Sequence, residues 1–236
     1  MRPSLQGFWG KGTANNRGTP PSEGGLSDVL VVYSPGYFSS YSTDVNPTAI
    51  YSQIQTTEIA AGYTTELIAN YSNFLTKDLS KYAHIWDIGY ATRLNDPAVI
   101  AKYTAYLAGG GAVFLLGENA GFILRNTDIC DMIQACGGGA VTLSSATYGI
   151  ITVATASEFL LANQNGSVTF SAPGAFSNIG TGTSFTTGGA HAVMWKTGAL
   201  ANAPSGAIVS VLDINFLSSD IQRNFIDNLA ICLNKK

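Results

Sequence analysis

Five consecutive apolar residues, Ala112 to Leu116, stand between Gly111 and Gly117, and the run stops abruptly at Gly117-Glu118-Asn119-Ala120-Gly121. A segment that is apolar at every position has no polar face to offer to water. It therefore reads as a strand buried on both sides, the situation of a central strand in a parallel sheet. The residues that follow, Phe122 to Ala135, read as a helix. Strand, sharp turn and helix form the repeating unit of α/β folds, and the turn at the strand's carboxyl end is where such folds place nucleophiles and ligands. The spacing Gly117-x-x-x-Gly121 is that of a nucleophile elbow, yet the middle position holds Asn119, whose amide does not attack.

The rest of the chain supplies the partners such a strand needs. Asp28 to Ser34 and Gly206 to Asp213 are two further apolar runs, and Thr64 to Ile68 and His84 to Gly89 read as less apolar strands. Helical spacing recurs between them. Asn46-Pro47 opens a helix over Thr48 to Ala61 that Gly62 stops, and Leu75 to Tyr82 forms a short amphipathic turn or helix. Asp96-Pro97 opens a helix striped by Val99, Ile100, Tyr103 and Leu107, and Ser219 to Leu233 carries Ile221, Phe225, Leu229 and Cys232 on one face. Alternation of this kind predicts an α/β domain over residues 28–236, a parallel sheet covered by helices on both faces. From about 148 to 195 the pattern changes to short strands among Gly, Ser and Thr turns, which predicts a β-rich insertion, with a short helix near Ser157 to Asn163. Residues 1–27 are rich in Gly, Pro and Asn and read as an extended N-terminal arm; Leu5, Phe8 and Trp9 are its candidate anchors, on its own domain or on a neighbouring subunit.

Composition narrows the partners. Only 11% of the 236 residues are charged, against the usual quarter or so, while 46% are hydrophobic. A surface made of Ser, Thr, Asn, Gln, Tyr and Gly suits secreted proteins and subunits covered by neighbours. The net charge of −3 comes without a basic cluster, which argues against nucleic acid. No apolar stretch is long enough to span a membrane, and Met1 to Gly7 lacks the apolar core of a secretory signal. The expectation is a protein retained until lysis or assembly, or one whose signal has been removed. Cys130, Cys136 and Cys232 are read as buried free thiols, and with no CxxC or Cys/His cluster neither a metal nor a cofactor is expected.

Three stretches together resemble the class I glutamine amidotransferase-like superfamily, most closely its ThuA-like and non-catalytic branches. They are the first strand, Val29 to Tyr33; the passage from Tyr106 through Gly109-Gly110-Gly111 into Ala112 to Gly121; and the closing Gly206 to Leu217 with Gln222 to Leu229. The resemblance implies a three-layer flavodoxin-like fold. It also places the family's nucleophilic cysteine on Asn119, so the acyl-transfer chemistry is expected to be missing. The family's histidine would fall on His191, whose Gly188-Gly189-Ala190-His191-Ala192 context lacks the usual His-Pro pair.

Two readings of function follow. Glu118, Asn119, His191 and Asp213 are the candidate catalytic residues if they gather at the carboxyl edge of the sheet, where two carboxylates and a histidine would do acid–base work or hold a cation, with a glycan as the ligand the resemblance implies; the plainer reading, which the sequence favours, is that they cap helices and satisfy loop backbone. Loop aromatics point elsewhere: Phe8, Trp9, Tyr37, Phe38 and Tyr41 are of the types favoured at protein interfaces. With the nucleophile missing and charge scarce, the sequence favours a structural subunit, in a virion or an extracellular filament, that associates with itself or with other subunits.

Overall fold

A computed structural model describes residues 28–33, 47–89, 92–156, 159, 166–218 and 221–235. The arm anchors Leu5, Phe8 and Trp9, the loop aromatics Tyr37, Phe38 and Tyr41, and most of the expected helix at 157–163 lie outside these residues.

Five parallel strands form the heart of the sheet. They are β1 (Asp28–Tyr33), β2 (Thr64–Ala69), β3 (Tyr82–Asp87), β4 (Ala112–Gly117) and the later Ala207–Leu212, which is β11 in chain order. Their spatial order is β2-β1-β3-β4-β11, the flavodoxin-like order with its reversal between β1 and β3. Two antiparallel strands, β10 (Ala192–Trp195) and β9 (Thr183–Ser184), extend the sheet beyond β11 to seven strands. The β-rich stretch thus contributes to the main sheet. Two separate pairs stand beside it: β6 (Ile150–Ala154) with β7 (Ser167–Ser171), both within the stretch, and β8 (Phe176–Ile179) with β5 (Val141–Leu143), which precedes it.

Alternation along each strand sends side chains into two cores. Ala112, Phe114 and Leu116 of β4 pack on one face with Ile50 and Ile54 of α1 (Pro47–Ala60) and Phe225, Leu229 and Cys232 of α5 (Arg223–Lys235). Val113 and Leu115 face the other way, with Phe74 of α2 (Tyr71–Thr76), Val99, Tyr103 and Leu107 of α3 (Pro97–Ala108), and Ile129 and Ile133 of α4 (Ile123–Ala135). The result is the three-layer α/β arrangement expected from the run at 112–116. Gly62, with φ of 93°, ends α1 in the left-handed conformation that a Cβ would oppose.

Two expectations shift. The short helix lies at 71–76 rather than 75–82, because the Asn70 side chain accepts the Asn73 amide at 2.9 Å and starts the helix there. A separate 3₁₀ turn then occupies Leu79–Lys81. Ile221 stands ahead of α5 and is exposed, so the buried stripe of that helix begins at Phe225.

Two groups of buried polar side chains join the layers, although Glu58 Oε2 and His84 Nδ1 have no hydrogen-bond partner among the described residues. Glu58 of α1 accepts from His84 Nε2 at 2.7 Å and from the Trp86 indole at 2.8 Å. Across the sheet, Asp87 ends β3 and takes Arg125 Nη2 of α4 at 2.9 Å, with both side chains sealed from solvent. Its other oxygen accepts the Tyr71 and Tyr103 hydroxyls at 2.8 and 2.9 Å. Arg125 also donates to Tyr71 Oη and to the carbonyls of Leu116 and Thr92, so four of its five N–H groups are used. Removing one member strands the other's charge, which costs about 3–5 kcal/mol. Arg125→Met is expected to lower the unfolding free energy by that amount in urea titrations, and adding Asp87→Asn is expected to recover part of the loss.

Candidate functional site

The parallel strands end together at the carboxyl edge, and there the sequence places Glu118 one residue past β4 and Asp213 one residue past β11. Leu212 of β11 pairs with Gly117 of β4, so the two carboxylates leave adjacent strands side by side. Glu118 is 3% exposed. One of its oxygens accepts the Asn119 amide at 2.9 Å and the Asn119 side-chain nitrogen at 3.1 Å, and the other accepts the Ile214 amide at 3.0 Å. Asp213 is also buried, and its oxygens take the amides of Ser171 at 2.7 Å and Asn215 at 2.8 Å. Burial, and next the charge of Asp213, push the Glu118 carboxyl up to about 8 against the pull of those N–H donors.

Asn119 does not sit in a strained elbow. Its φ is −58°, ordinary for any residue, whereas a nucleophile elbow holds its nucleophile on a strained turn. Its side-chain oxygen caps the 3₁₀ turn Ala120–Phe122 by accepting the Gly121 amide at 2.8 Å. Asn126 closes the bend from α4: it accepts the Glu118 amide at 3.0 Å and donates to the Glu118 carbonyl at 2.6 Å. The Asn126 oxygen lies 2.6 Å from where a Cβ on Gly117 would stand, which accounts for that glycine. The spacing of the two glycines thus reflects a capped turn and its clamp, where the sequence suggested an elbow.

His191 stands at the same edge, just before β10, but faces another way. Its Nδ1 donates to the Gly174 carbonyl at 2.7 Å, and the Gly189 backbone closes over Nε2. Tyr148 meets the ring edge-on at 4.8 Å and Phe170 packs at 5.9 Å. Burial lowers its pKa, opposed by the Gly174 carbonyl, so the ring is neutral at pH 7. Gly174 itself lies against the Glu118 carbonyl, and its amide donates to the Leu212 carbonyl at 2.7 Å. The β-rich stretch therefore crosses over the bend. The structure gathers Glu118, Asn119 and Asp213 and leaves His191 bonded to the main chain beside them.

Among the described residues no group of three or more His, Cys, Asp or Glu is placed to hold a metal ion, and no helix is long and apolar enough to cross a membrane. A cavity of about 460 Å³ opens at the opposite, amino edge, lined by Lys77, Tyr82, Lys102 and Tyr106 among others. Its lysines are already engaged, Lys77 with Glu66 and Lys102 with the carbonyls of Leu75 and Lys77. Cys130, Cys136 and Cys232 are buried and form no disulfide, as the sequence suggested.

No protein-family model matches the sequence, and no curated protein matches it either. Solved structures do share the fold. The mmIFT52 N-terminal domain aligns over 87% of this chain and 97% of its own length, with a TM-score of 0.58 at 12% identity. A cold-adapted β-galactosidase from Rahnella sp. R3 aligns over 89% of this chain with a TM-score of 0.54 at 14% identity, and the chain spans 31% of that enzyme. A ThuA-like protein from Bacteroides uniformis aligns over 96% of this chain with a TM-score of 0.48 at 13% identity. At such identities the likeness concerns the fold alone.

The raised Glu118 pKa has a stability consequence. Because the folded value lies above the unfolded one of 4.5, the contribution is complete below that pH and is lost as pH rises through about 8. The wild-type unfolding free energy is expected to fall across this range, relative to Glu118→Gln, at up to about 1.4 kcal/mol per pH unit. Urea titrations of both proteins at stepped pH read the difference in slope, which is independent of any constant cost of the substitution.

Proposed function

We propose that this chain is a non-catalytic structural or interaction subunit of a larger assembly, a virion component or an extracellular filament. A degenerate amidotransferase-like domain serves as its scaffold, and residues 1–27 dock on a neighbouring subunit. One observation carries the reading: every candidate catalytic side chain at the carboxyl edge is committed to the fold. Asn119 caps a turn, Glu118 and Asp213 accept main-chain amides, and His191 donates to a carbonyl. The scarcity of charge adds to it, since a surface poor in Lys and Glu matches the core of protein interfaces.

A second reading, a carbohydrate-binding protein or hydrolase at the same edge, draws on Glu118, because a carboxyl held at about 8 keeps a proton to donate at neutral pH. Its burial and its amide partners weigh against that use.

Light scattering on the full chain and on residues 28–236 tests the first reading. The full chain is expected to give a mass of several copies, and the shortened chain a smaller one. A monomer at both lengths, together with glycoside hydrolysis that disappears in Glu118→Gln, would put the second reading in its place.

A further inference from the structure

The outer edge of β6 in the β6–β7 pair is open over part of its length. Gly149 accepts the Ala172 amide at 3.2 Å and Thr155 donates to Gly166, so the odd-numbered residues of β6 bond to β7. By the alternation of an antiparallel ladder, the N–H and C=O of the even-numbered residues then point outward. Ala154 uses its outward carbonyl to accept the Thr187 amide at 2.8 Å, and Thr155 bridges Thr186. Those contacts close the far end. The outward groups of Ile150 and Thr152 have no acceptor or donor among the described residues.

Edge strands of soluble proteins are usually blunted by Lys, Pro, a bulge or a covering segment. β6 reads Ile-Ile-Thr-Val-Ala, pairs with β7 in unbroken register, and leaves Ile150 79% exposed. A Cβ added to Gly149 would meet nothing within 4 Å. Charge is missing well beyond the strand: between Met132 and Leu212 the sequence carries only Glu158 and Lys196 among Asp, Glu, Lys and Arg.

We infer that the outer edge of β6 is an interface with a second copy of this chain, joined by antiparallel pairing about a two-fold axis through Ile151. In that register Ile150 of each copy faces Thr152 of the other. Their outward N–H and C=O groups form four hydrogen bonds, so every group left open on Ile150 and Thr152 is satisfied. Ile151 meets Ile151 on the face where Ile151 and Val153 already pack on the core. An uncharged strand suits a two-fold axis, which sets every residue near its own duplicate and would bring like charges together. Two β6–β7 pairs become one four-stranded sheet. The inference deepens the assembly reading and rests on it, and it adds an interface separate from residues 1–27.

The full-length chain is the material for the test. Thr152→Pro removes an outward N–H that the chain's own ladder does not use, so β6 keeps its bonds to β7. Ile151→Cys puts two thiols at a non-hydrogen-bonded pair, where Cα atoms about 4.5 Å apart suit a disulfide. In sedimentation velocity, Thr152→Pro is expected to weaken self-association by about tenfold or more. With oxidised glutathione as the oxidant, Ile151→Cys is expected to form a covalent dimer, and Ala154→Cys is not. Self-association unchanged in a folded Thr152→Pro protein, with no Ile151→Cys dimer, overturns the β6 interface and leaves the assembly reading in place. A wild-type chain that stays monomeric over the whole concentration range overturns both. Should Thr152→Pro not fold, the Ile151→Cys cross-link alone decides.

Discussion

A guanidinium without access to water must have its charge and most of its donors answered from inside the protein, and the position of Arg125 shows how much of this fold is arranged to do so. Asp87 answers the charge from the end of β3, Tyr71 from the start of α2, and Leu116 and Thr92 supply carbonyls from β4 and from the segment before α3. Tyr103 of α3 completes the shell around Asp87. One side chain thereby fixes the spacing of two strands and three helices on one face of the sheet. Apolar packing would tolerate small sliding of these elements, whereas a buried ion pair with directed bonds does not. On the opposite face Glu58, His84 and Trp86 tie α1 to β3 in the same manner.

The carboxyl edge follows from this fixing. With α4 held by Arg125, the next residue, Asn126, is placed to bond both main-chain groups of Glu118. The bend after β4 is therefore defined by hydrogen bonds that involve no reacting group. Glu118 and Asp213 are close enough for one charge to be felt by the other, and each faces amides rather than open solvent. The arrangement is one in which polar residues at strand ends finish the fold.

What the sequence disclosed depended on whether a residue's partner was local. The strands β4 and β11 were legible because burial on both faces leaves unbroken apolar runs. The helices at 47–60, 97–108 and 223–235 were legible from their stripes, and Glu118 and Asp213 from the ends of adjacent strands. Arg125 was not, although it is the lone basic residue in α4 apart from its polar neighbours, because its partner Asp87 lies 38 positions away. Glu58 and His84, 26 positions apart, were hidden for the same reason. For Asn119 the sequence offered both a reacting position in an elbow-like glycine spacing and a plain cap, and its side chain caps the turn by accepting the Gly121 amide. The helix at 71–76 was displaced in the sequence reading because its start is set by one side chain, Asn70, rather than by periodicity.

The three thiols have a further consequence. All are nearly sealed from solvent, and burial pushes Cys130 up to about 12 and raises Cys136 as well, so the reactive thiolate is scarce at neutral pH. No bridge among them holds the fold together. The described fold therefore draws none of its stability from a cross-link, and a reducing agent is not expected to loosen it.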